Sequence, residues 1–181
     1  YRNDGEHKGN LPGFGEGLGA KVDRIVAELR SEGPDPTLDS QILQLQGSGA
    51  DVLFDITTPK FAAQAIRKAY DSGWKPVHYL NGVSASVGSV LTPAGLDKSV
   101  GLLSTIYGKD PTDRQWENDP ALKDWTAFMK KYYPEGSLIG AFNVYGNSGA
   151  QTLGTVLSEC GCKRTRGDVI ERRPDTTDSP T

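Results

Sequence analysis

The chain has 181 residues, of which 24% are charged and 36% hydrophobic, with a formal net charge of −3 and an isoelectric point near 5.4. This mildly acidic balance offers no general basic surface for nucleic acid or an anionic membrane, so no nucleic-acid partner is expected. The longest apolar runs are a few residues, too short to span a bilayer, and no signal peptide opens the chain. A chain of this length can form one substantial core, or one domain with appended segments.

The first 50 residues mix turn, helix and strand patterns. Residues 1–5 predict a turn of the kind that follows a strand in α/β folds, so we expect a strand upstream of it. Residues 11–18 predict a short helix weakened by its glycines, and residues 22–29 predict a strand. After a loop, Asp39 or Ser40 is expected to cap a further helix.

The clearest pattern lies between residues 51 and 80. Residues 51–56 form a short, mostly apolar run that is typical of a strand buried on both faces. Thr57, Thr58 and Pro59 then predict a helix start with a hydroxyl cap, and a second strand follows at 77–80. A strand, helix and strand within about 30 residues form a βαβ unit, which predicts an α/β fold with a parallel sheet covered by helices.

The rest of the chain predicts one more strand and two helices. Residues 100–107 predict the strand, and residues 109–113 read as a linker. One helix should carry apolar side chains on one face between Leu122 and Tyr132, and another should span 143–158. From residue 163 the chain is charged and then rich in Thr, Asp, Pro and Ser, which predicts disorder.

Motifs for catalysis or cofactor binding are weak. Residues 15–20 fit a dinucleotide-binding glycine pattern, but they lie at the end of a predicted helix and not at a strand-to-helix turn. His7 falls in a predicted turn and His78 in a predicted strand, and neither has a nucleophile and acid beside it. Cys160 and Cys162 make at most half of a zinc site and are interpreted as one buried cysteine at a helix end and one incidental cysteine. We therefore expect neither enzymatic activity nor a bound cofactor or metal.

Polar residues follow two neighbouring predicted strands. Thr57 and Thr58 come after the first, and Asn81 and Ser84 come after the second. Because open α/β sheets bind ligands at the carboxyl ends of their strands, these residues predict one crevice for a small polar or anionic group. The alternative interpretation is plain helix capping, which Thr and Ser also perform.

Several segments carry a resemblance to a known family. They are Tyr-Arg-Asn-Asp at the start, Asp-Pro-Thr-Leu-Asp-Ser-Gln-Ile at 35–42, the block 48–68, Gly-Trp-Lys-Pro at 73–76, the block 79–88, Lys-Asp-Pro-Thr-Asp at 109–113 and Phe-Met-Lys-Lys-Tyr-Tyr-Pro at 128–134. Together they resemble the substrate-binding proteins of branched-chain amino acid (leucine/isoleucine/valine-type) ABC transporters. Such proteins have two Rossmann-like lobes with helices on both sheet faces, joined by a hinge, and they clamp a solute between the lobes.

The resemblance implies how the chain is divided. Residues 1–108 would be most of the second lobe, with its first strand truncated. Residues 109–113 would be a hinge crossing, and residues 114–162 would return to the first lobe, of which the chain would hold only a part. Residues 163–181 depart from the family pattern and are expected to form a disordered tail.

The resemblance also implies a function and a binding site. The protein would be an exported, periplasmic component of a Gram-negative bacterium that delivers solute to a membrane permease without catalysis. Solute contacts would come from Glu6 and His7, from the 57–58 loop and from the 81–84 loop. Asn81 and Gly82 stand near the place of an acidic residue that grips the ammonium of amino acids in relatives, so an aromatic or branched organic acid is an open alternative to an amino acid.

Asp55 and the function each have an alternative interpretation. Asp55 is the acid nearest these loops, and its strand position favours a structural hydrogen bond over solute contact. A ligand-sensing domain of a receptor or transcription regulator with the same fold is the alternative function, although the sequence contains no basic helix-turn-helix.

Overall fold

A computed structural model describes residues 5–31, 36–160 and 165–171. The chain divides into two compact units, Tyr1–Tyr107 and Gly108–Thr181, which we call unit 1 and unit 2. Each unit is described by itself below.

Unit 1 is an α/β unit, as the sequence predicts. Its elements, in chain order, are α1 (Gly5–Leu18), a 3-10 helix (Gly19–Arg24), α2 (Asp39–Gly47), β1 (Val52–Asp55), α3 (Pro59–Asp71), β2 (Val77–Leu80), a 3-10 turn (Gly82–Ser84), a π-helical turn (Val87–Leu91), α4 (Thr92–Ala94) and β3 (Leu103–Ser104). The described strands form one parallel sheet in the order β1-β2-β3. Helices flank this sheet, so the predicted parallel α/β architecture is confirmed.

The two faces of the sheet differ in burial. Leu53 and Asp55 of β1 pair with His78 and Leu80 of β2, and all four side chains are buried. We call this side the buried face. Because side chains alternate along a strand, Val52, Phe54, Val77 and Tyr79 lie on the opposite side, which is 39–48% exposed and is called the open face.

Helix α3 contributes to both hydrophobic clusters of unit 1. Its apolar residues recur at helical spacing, and six of them are buried: Phe61, Ala62, Ala63, Ala65, Ile66 and Ala69. Ala62, Ala63 and Ile66 pack with Leu80 and with the segment from Val90 to Ala94. Phe61, Ala65 and Ala69 pack with Ile42 of α2 and with Leu38, which directly precedes that helix. The alanines keep α3 narrow, so these neighbours can approach it closely.

Two predicted strands differ from the structure. Residues 22–29 were expected to form a strand, but they begin in the 3-10 helix and continue as coil to an isolated bridge at Ser31. Val22, Ile25 and Val26 are 38–62% exposed, so their preference for strands has no packing to support it. The strand predicted at 100–107 is confined to Leu103–Ser104, because its other residues lie outside the ladder with β2.

Helix boundaries were predicted better than helix caps. Helix α1 starts at Gly5, so it is longer than the predicted helix and takes in Gly5 of the predicted turn. Pro59 is the first residue of α3, as predicted, but no capping bond from the Thr58 hydroxyl is found among the described residues. Leu38, instead of Asp39 or Ser40, occupies the cap position of α2. Thr58 therefore holds the predicted N-cap position of α3 without the predicted hydroxyl bond, and the cap prediction for α2 was wrong.

Unit 2 is helical. It contains a 3-10 helix (Arg114–Trp116), α5 (Pro120–Tyr132), α6 (Ala141–Glu159) and α7 (Arg166–Glu171). Helix α5 starts where Asp119 Oδ1 accepts a hydrogen bond from Leu122 N at 3.0 Å. Leu122, Trp125 and Met129 form its buried cluster, with Trp116 and Val144 against it. Phe128 and Tyr132, predicted on the same face, are 46% and 64% exposed.

Helix α6 has an unusual composition for its 19 residues. It contains Gly146, Gly149 and Gly154, and Val156 is its buried residue. Four hydroxyls donate to the carbonyl one turn earlier: Ser148 to Val144, Thr152 to Ser148, Thr155 to Gln151 and Ser158 to Gly154. Such bonds compete with the helical ladder and tend to bend a helix.

Helix α7 and the polarity of the helices complete the description of the fold. Helix α7 lies inside the 163–181 segment whose composition predicts disorder, and residues 163–164 and 172–181 lie outside the described ones. In the described part of the chain, every helix is too short or too polar to cross a membrane.

Candidate functional site

A cavity of about 350 Å³ opens at the carboxyl ends of the three parallel strands of unit 1. The last residue of each strand and the residue that follows it line the cavity: Asp55 and Ile56 for β1, Leu80 and Asn81 for β2, and Ser104 and Thr105 for β3. Ligands of open α/β sheets bind at this edge, because loops and free backbone groups converge there. Of the four residues from which the sequence predicts a crevice, Thr57, Thr58, Asn81 and Ser84, only Asn81 is among those that line this cavity.

Aromatic side chains of the open face form one wall of this cavity. The rings of Phe54 and Tyr79 are stacked, with centroids 4.8 Å apart and planes 10° apart. Phe14 of α1 contacts Phe54 with a centroid distance of 4.2 Å, and Leu103 completes the wall. A flat apolar wall of this kind suits a planar or branched apolar group.

Asn81 connects the wall to the polar edge. Its backbone N–H donates to the Asp55 carbonyl at 3.0 Å, which continues the pairing of β1 with β2 by one residue. Its side-chain oxygen is buried, and it has no hydrogen-bond partner among the described residues. A buried amide oxygen without a partner is costly, so Asn81 offers a hydrogen-bonding position to a molecule in the cavity.

The hydroxyls of Thr57 and Ser84 are engaged within the protein. Thr57 Oγ1 donates to Asp55 Oδ1 at 2.6 Å, and Ser84 Oγ donates to the Thr57 carbonyl at 2.6 Å. Both residues are buried. The cavity lining includes Asp55 and Asn81 but neither of these two residues. Thr58 is half-buried at the start of α3 and is also outside the lining. The structure thus brings the 57–58 and 81–84 loops into direct contact.

Asp55 is the charged residue among those that line the cavity, and its carboxylate lies on the buried face of the sheet. Its Oδ2 lies 3.5 Å from Nε2 of His78, which is close enough for an ion pair when the imidazole is protonated. Neither of these two atoms has a hydrogen bond among the described residues. His78 is buried, as the sequence predicts for a strand histidine.

Gly82 permits the close approach of two strand-end loops. A Cβ atom at this position would lie 2.5 Å from the Thr105 carbonyl oxygen, which is backbone and cannot move aside easily. Only glycine therefore fits without a shift of the chain that follows β3. Neither this role of Gly82 nor the aromatic wall is predicted from the sequence, although the alternation of side chains along residues 51–56 is a signal for the wall.

The remaining predicted residues add little to the described geometry. Glu6 and His7 lie in α1, and their side chains are outside the described ones. Cys160 is a buried free thiol whose Sγ lies 3.7 Å from the Asp168 carbonyl oxygen, and Cys162 is outside the described residues. No cluster of His, Cys, Asp and Glu that could hold a metal ion occurs within residues 5–31, 36–160 and 165–171.

Comparison with known proteins gives one family. The family model described as periplasmic binding protein matches residues 16–176, which is most of the chain and includes all three strands. No curated protein and no solved structure matches the chain. Proteins of this family bind small-molecule ligands, in agreement with a cavity at the carboxyl edge of the sheet. The chain therefore belongs to the periplasmic binding protein family.

Proposed function

We propose that this protein is the extracytoplasmic solute-binding component of an ABC transporter and binds a small organic acid or amino acid without catalysis. The observation that carries the proposal is the cavity at the carboxyl edge, with an aromatic wall on one side and the Asn81 amide on the other. A membrane permease would be its protein partner, and the periplasm of a Gram-negative bacterium its location.

In the proposed arrangement, residues 1–108 form the second lobe, residues 109–113 the hinge crossing, and residues 114–162 helices of the first lobe. The division of the chain into compact units between Tyr107 and Gly108 supports this boundary. Closure of two lobes on a solute would favour the closed state only if the solute contacts both lobes. Unit 1 supplies one wall of such a site, so we expect dissociation constants in the millimolar range for the 181-residue chain.

The chemistry of the cavity favours an organic acid over the matching amino acid. An ammonium group is best bound by a free carboxylate, but Asp55 has one oxygen committed to Thr57 and the other facing His78. The Asn81 side chain is neutral: its amide nitrogen can donate to a carboxylate or carbonyl oxygen, and its oxygen, unpartnered among the described residues, can accept from an N–H or O–H group of the solute. The stacked Phe54 and Tyr79 rings suit an aromatic or branched body.

Two matched ligand pairs test this proposal. 3-Phenylpropanoate differs from phenylalanine, and 4-methylpentanoate differs from leucine, by the absence of the ammonium group. We expect each acid to shift the backbone NMR signals of residues 81–84 and 103–105 at lower concentration than its amino acid does. If neither member of either pair perturbs these signals at tens of millimolar, the strand-end cavity is not the solute site.

Replacement of Asn81 identifies the contact that matters. We expect Asn81→Ala to weaken binding of the better acid by about 1–3 kcal/mol, the usual cost of an unpaired buried polar group. Asn118→Ala is the matched control, because Asn118 is exposed and lies in unit 2. Equal affinity of the Asn81 variant and the parent would show that the 81–84 loop only closes the end of β2.

A further inference from the structure

Four polar side chains are buried between the sheet and the loops that follow it. They are His78, Asp55, Thr57 and Ser84, with exposed fractions of 6%, 4%, 5% and 0%. Buried polar groups of this kind are costly unless they bond to one another, so their mutual contacts decide whether they help or harm the fold.

These four residues form a continuous chain of contacts. Nε2 of His78 lies 3.5 Å from Asp55 Oδ2, and Asp55 Oδ1 accepts from the Thr57 hydroxyl at 2.6 Å. The Thr57 carbonyl in turn accepts from the Ser84 hydroxyl at 2.6 Å. The chain therefore runs from the middle of β2, through the end of β1, to both loops beside the cavity.

His78 places a ring nitrogen beside the Asp55 oxygen that Thr57 does not contact. A carboxylate taken out of water needs hydrogen bonds or a counter-charge at both oxygens, and the Thr57 hydroxyl serves Oδ1 alone. The side chains that α3 buries are all apolar and offer nothing to Oδ2. The imidazole of His78 lies beside Oδ2, with Nε2 at 3.5 Å. An approach of a few tenths of an ångström would bring Nε2 within ordinary hydrogen-bond distance of Oδ2.

The position of Asp55 affects both loops. Its carboxylate fixes the Thr57 side chain, and its carbonyl accepts from the backbone N–H of Asn81. We propose that His78 is a positioning residue for the strand-end site, where it holds the Asp55 carboxylate so that Thr57, Ser84 and Asn81 keep their places around the cavity. The inference rests on the proposed function for its biological meaning, but the loop order it describes needs no solute.

Hydrogen exchange of the solute-free protein tests this role. The amides of Asn81 and Ser84, which bond to the Asp55 and Asn81 carbonyls, report on the loops. The amide of Ile66, in the middle of α3, reports on that helix. The amide nitrogen of glutamine can reach the place of Nε2, whereas that of asparagine ends nearer Nδ1. We expect His78→Asn to reduce protection of the loop amides on the order of tenfold more than that of Ile66, and His78→Gln to restore it.

Leu53→Ala is the matched control, because Leu53 pairs with His78 on the buried face and has no polar atoms to contribute. It should lower the protection of loop and helix amides in parallel. If His78→Asn lowers them in parallel as well, or if His78→Gln restores nothing, His78 is merely a packed side chain and the inference is wrong.

A spectroscopic measurement on the parent protein covers the case in which the asparagine variant does not fold. Long-range ¹H–¹⁵N spectra of the His78 ring should show a proton on Nε2, and Asp55→Asn should shift that nitrogen signal. A ring whose Nε2 carries no proton would overturn the proposal. Because no solute is present, either result stands independently of whether the organic acids bind.

Discussion

The buried and open faces of the sheet in unit 1 differ in a way that burial alone would not predict. The buried face carries Asp55 and His78 among aliphatic neighbours, whereas the open face carries the stacked rings of Phe54 and Tyr79. The alternation of side chains along a strand determines which residues share a face, but it does not determine which face is exposed to solvent. Half-exposed aromatic residues indicate a contact surface, and a buried polar pair indicates a geometry that must be kept.

The largest expected difference between the two faces is in packing energy. We expect Ile66→Ala, in the helix that covers the buried face, to reduce the free energy of unfolding by about 2–5 kcal/mol. Phe54→Ala on the open face should cost about 1–2 kcal/mol, because its ring is already 43% exposed. Urea denaturation of both variants measures the difference. Equal losses would mean that the open face is covered in solution.

The next effect concerns the loops at the carboxyl edge of the sheet, where Gly82 lies against Thr105. We expect Gly82→Ala to cost about 1–3 kcal/mol, because its Cβ would overlap the Thr105 carbonyl oxygen. Gly47→Ala is the control: it lies in α2, and no described atom would come within 4 Å of its Cβ. That variant should be neutral or slightly stabilising. If Gly82→Ala is equally harmless, the chain after β3 does not approach the 81–84 loop in solution.

Two hydroxyls from the sequence prediction give a smaller, sharper comparison. We expect Ser84→Ala to destabilise by about 1–1.5 kcal/mol, since it removes a buried bond to the Thr57 carbonyl. Thr58→Ala should stay within about 0.5 kcal/mol, because the structure gives its hydroxyl no capping role among the described residues. Thermal unfolding separates the two. A larger loss for Thr58 would restore the predicted cap.

The smallest effect concerns the half-buried carboxylate of Asp119 in unit 2. The Lys109 ammonium, with help from the Leu122 N–H, lowers the pKa of Asp119 below its ordinary value. A lowered native pKa means that the contribution of Asp119 is present above about pH 4 and is lost as the pH falls further. We expect Asp119→Asn, which can still cap α5, to reduce the difference in urea midpoint between pH 6 and pH 3. An unchanged difference would contradict the role of the ion pair.

The sequence predicts local structure well where one pattern dominates. Residues 51–56 and 77–80 are short apolar runs, and Pro59 marks the start of a helix with regular spacing, so β1, α3 and β2 are found where expected. The strand prediction for residues 22–29 was wrong, because β-branched side chains stabilise a strand only where they pack against neighbouring residues. Periodicity indicates faces, but the neighbours of each face are set by the fold.

The sequence indicates the edge of the sheet at which the candidate site lies, but it does not predict which side chains line the cavity. Strand ends indicate the edge at which Asn81 lines the cavity. The hydroxyl of Ser84 donates to the Thr57 carbonyl, which lies 27 residues earlier in the chain. No local sequence pattern contains a contact of this range, so the engagement of this hydroxyl could not be predicted. Phe14 joins the aromatic wall from a different helix, so it too required the tertiary structure.

Helix α6 has a consequence for the order in which the protein loses structure. Three glycines each lower helix stability by about 1 kcal/mol relative to alanine, and the hydroxyl bonds of α6 compete with its own ladder. With Val156 as its buried residue, the helix has little tertiary packing to offset this deficit. Heating should therefore melt α6 before α5, as a separate low-temperature step, and unit 2 will not unfold as a single cooperative body.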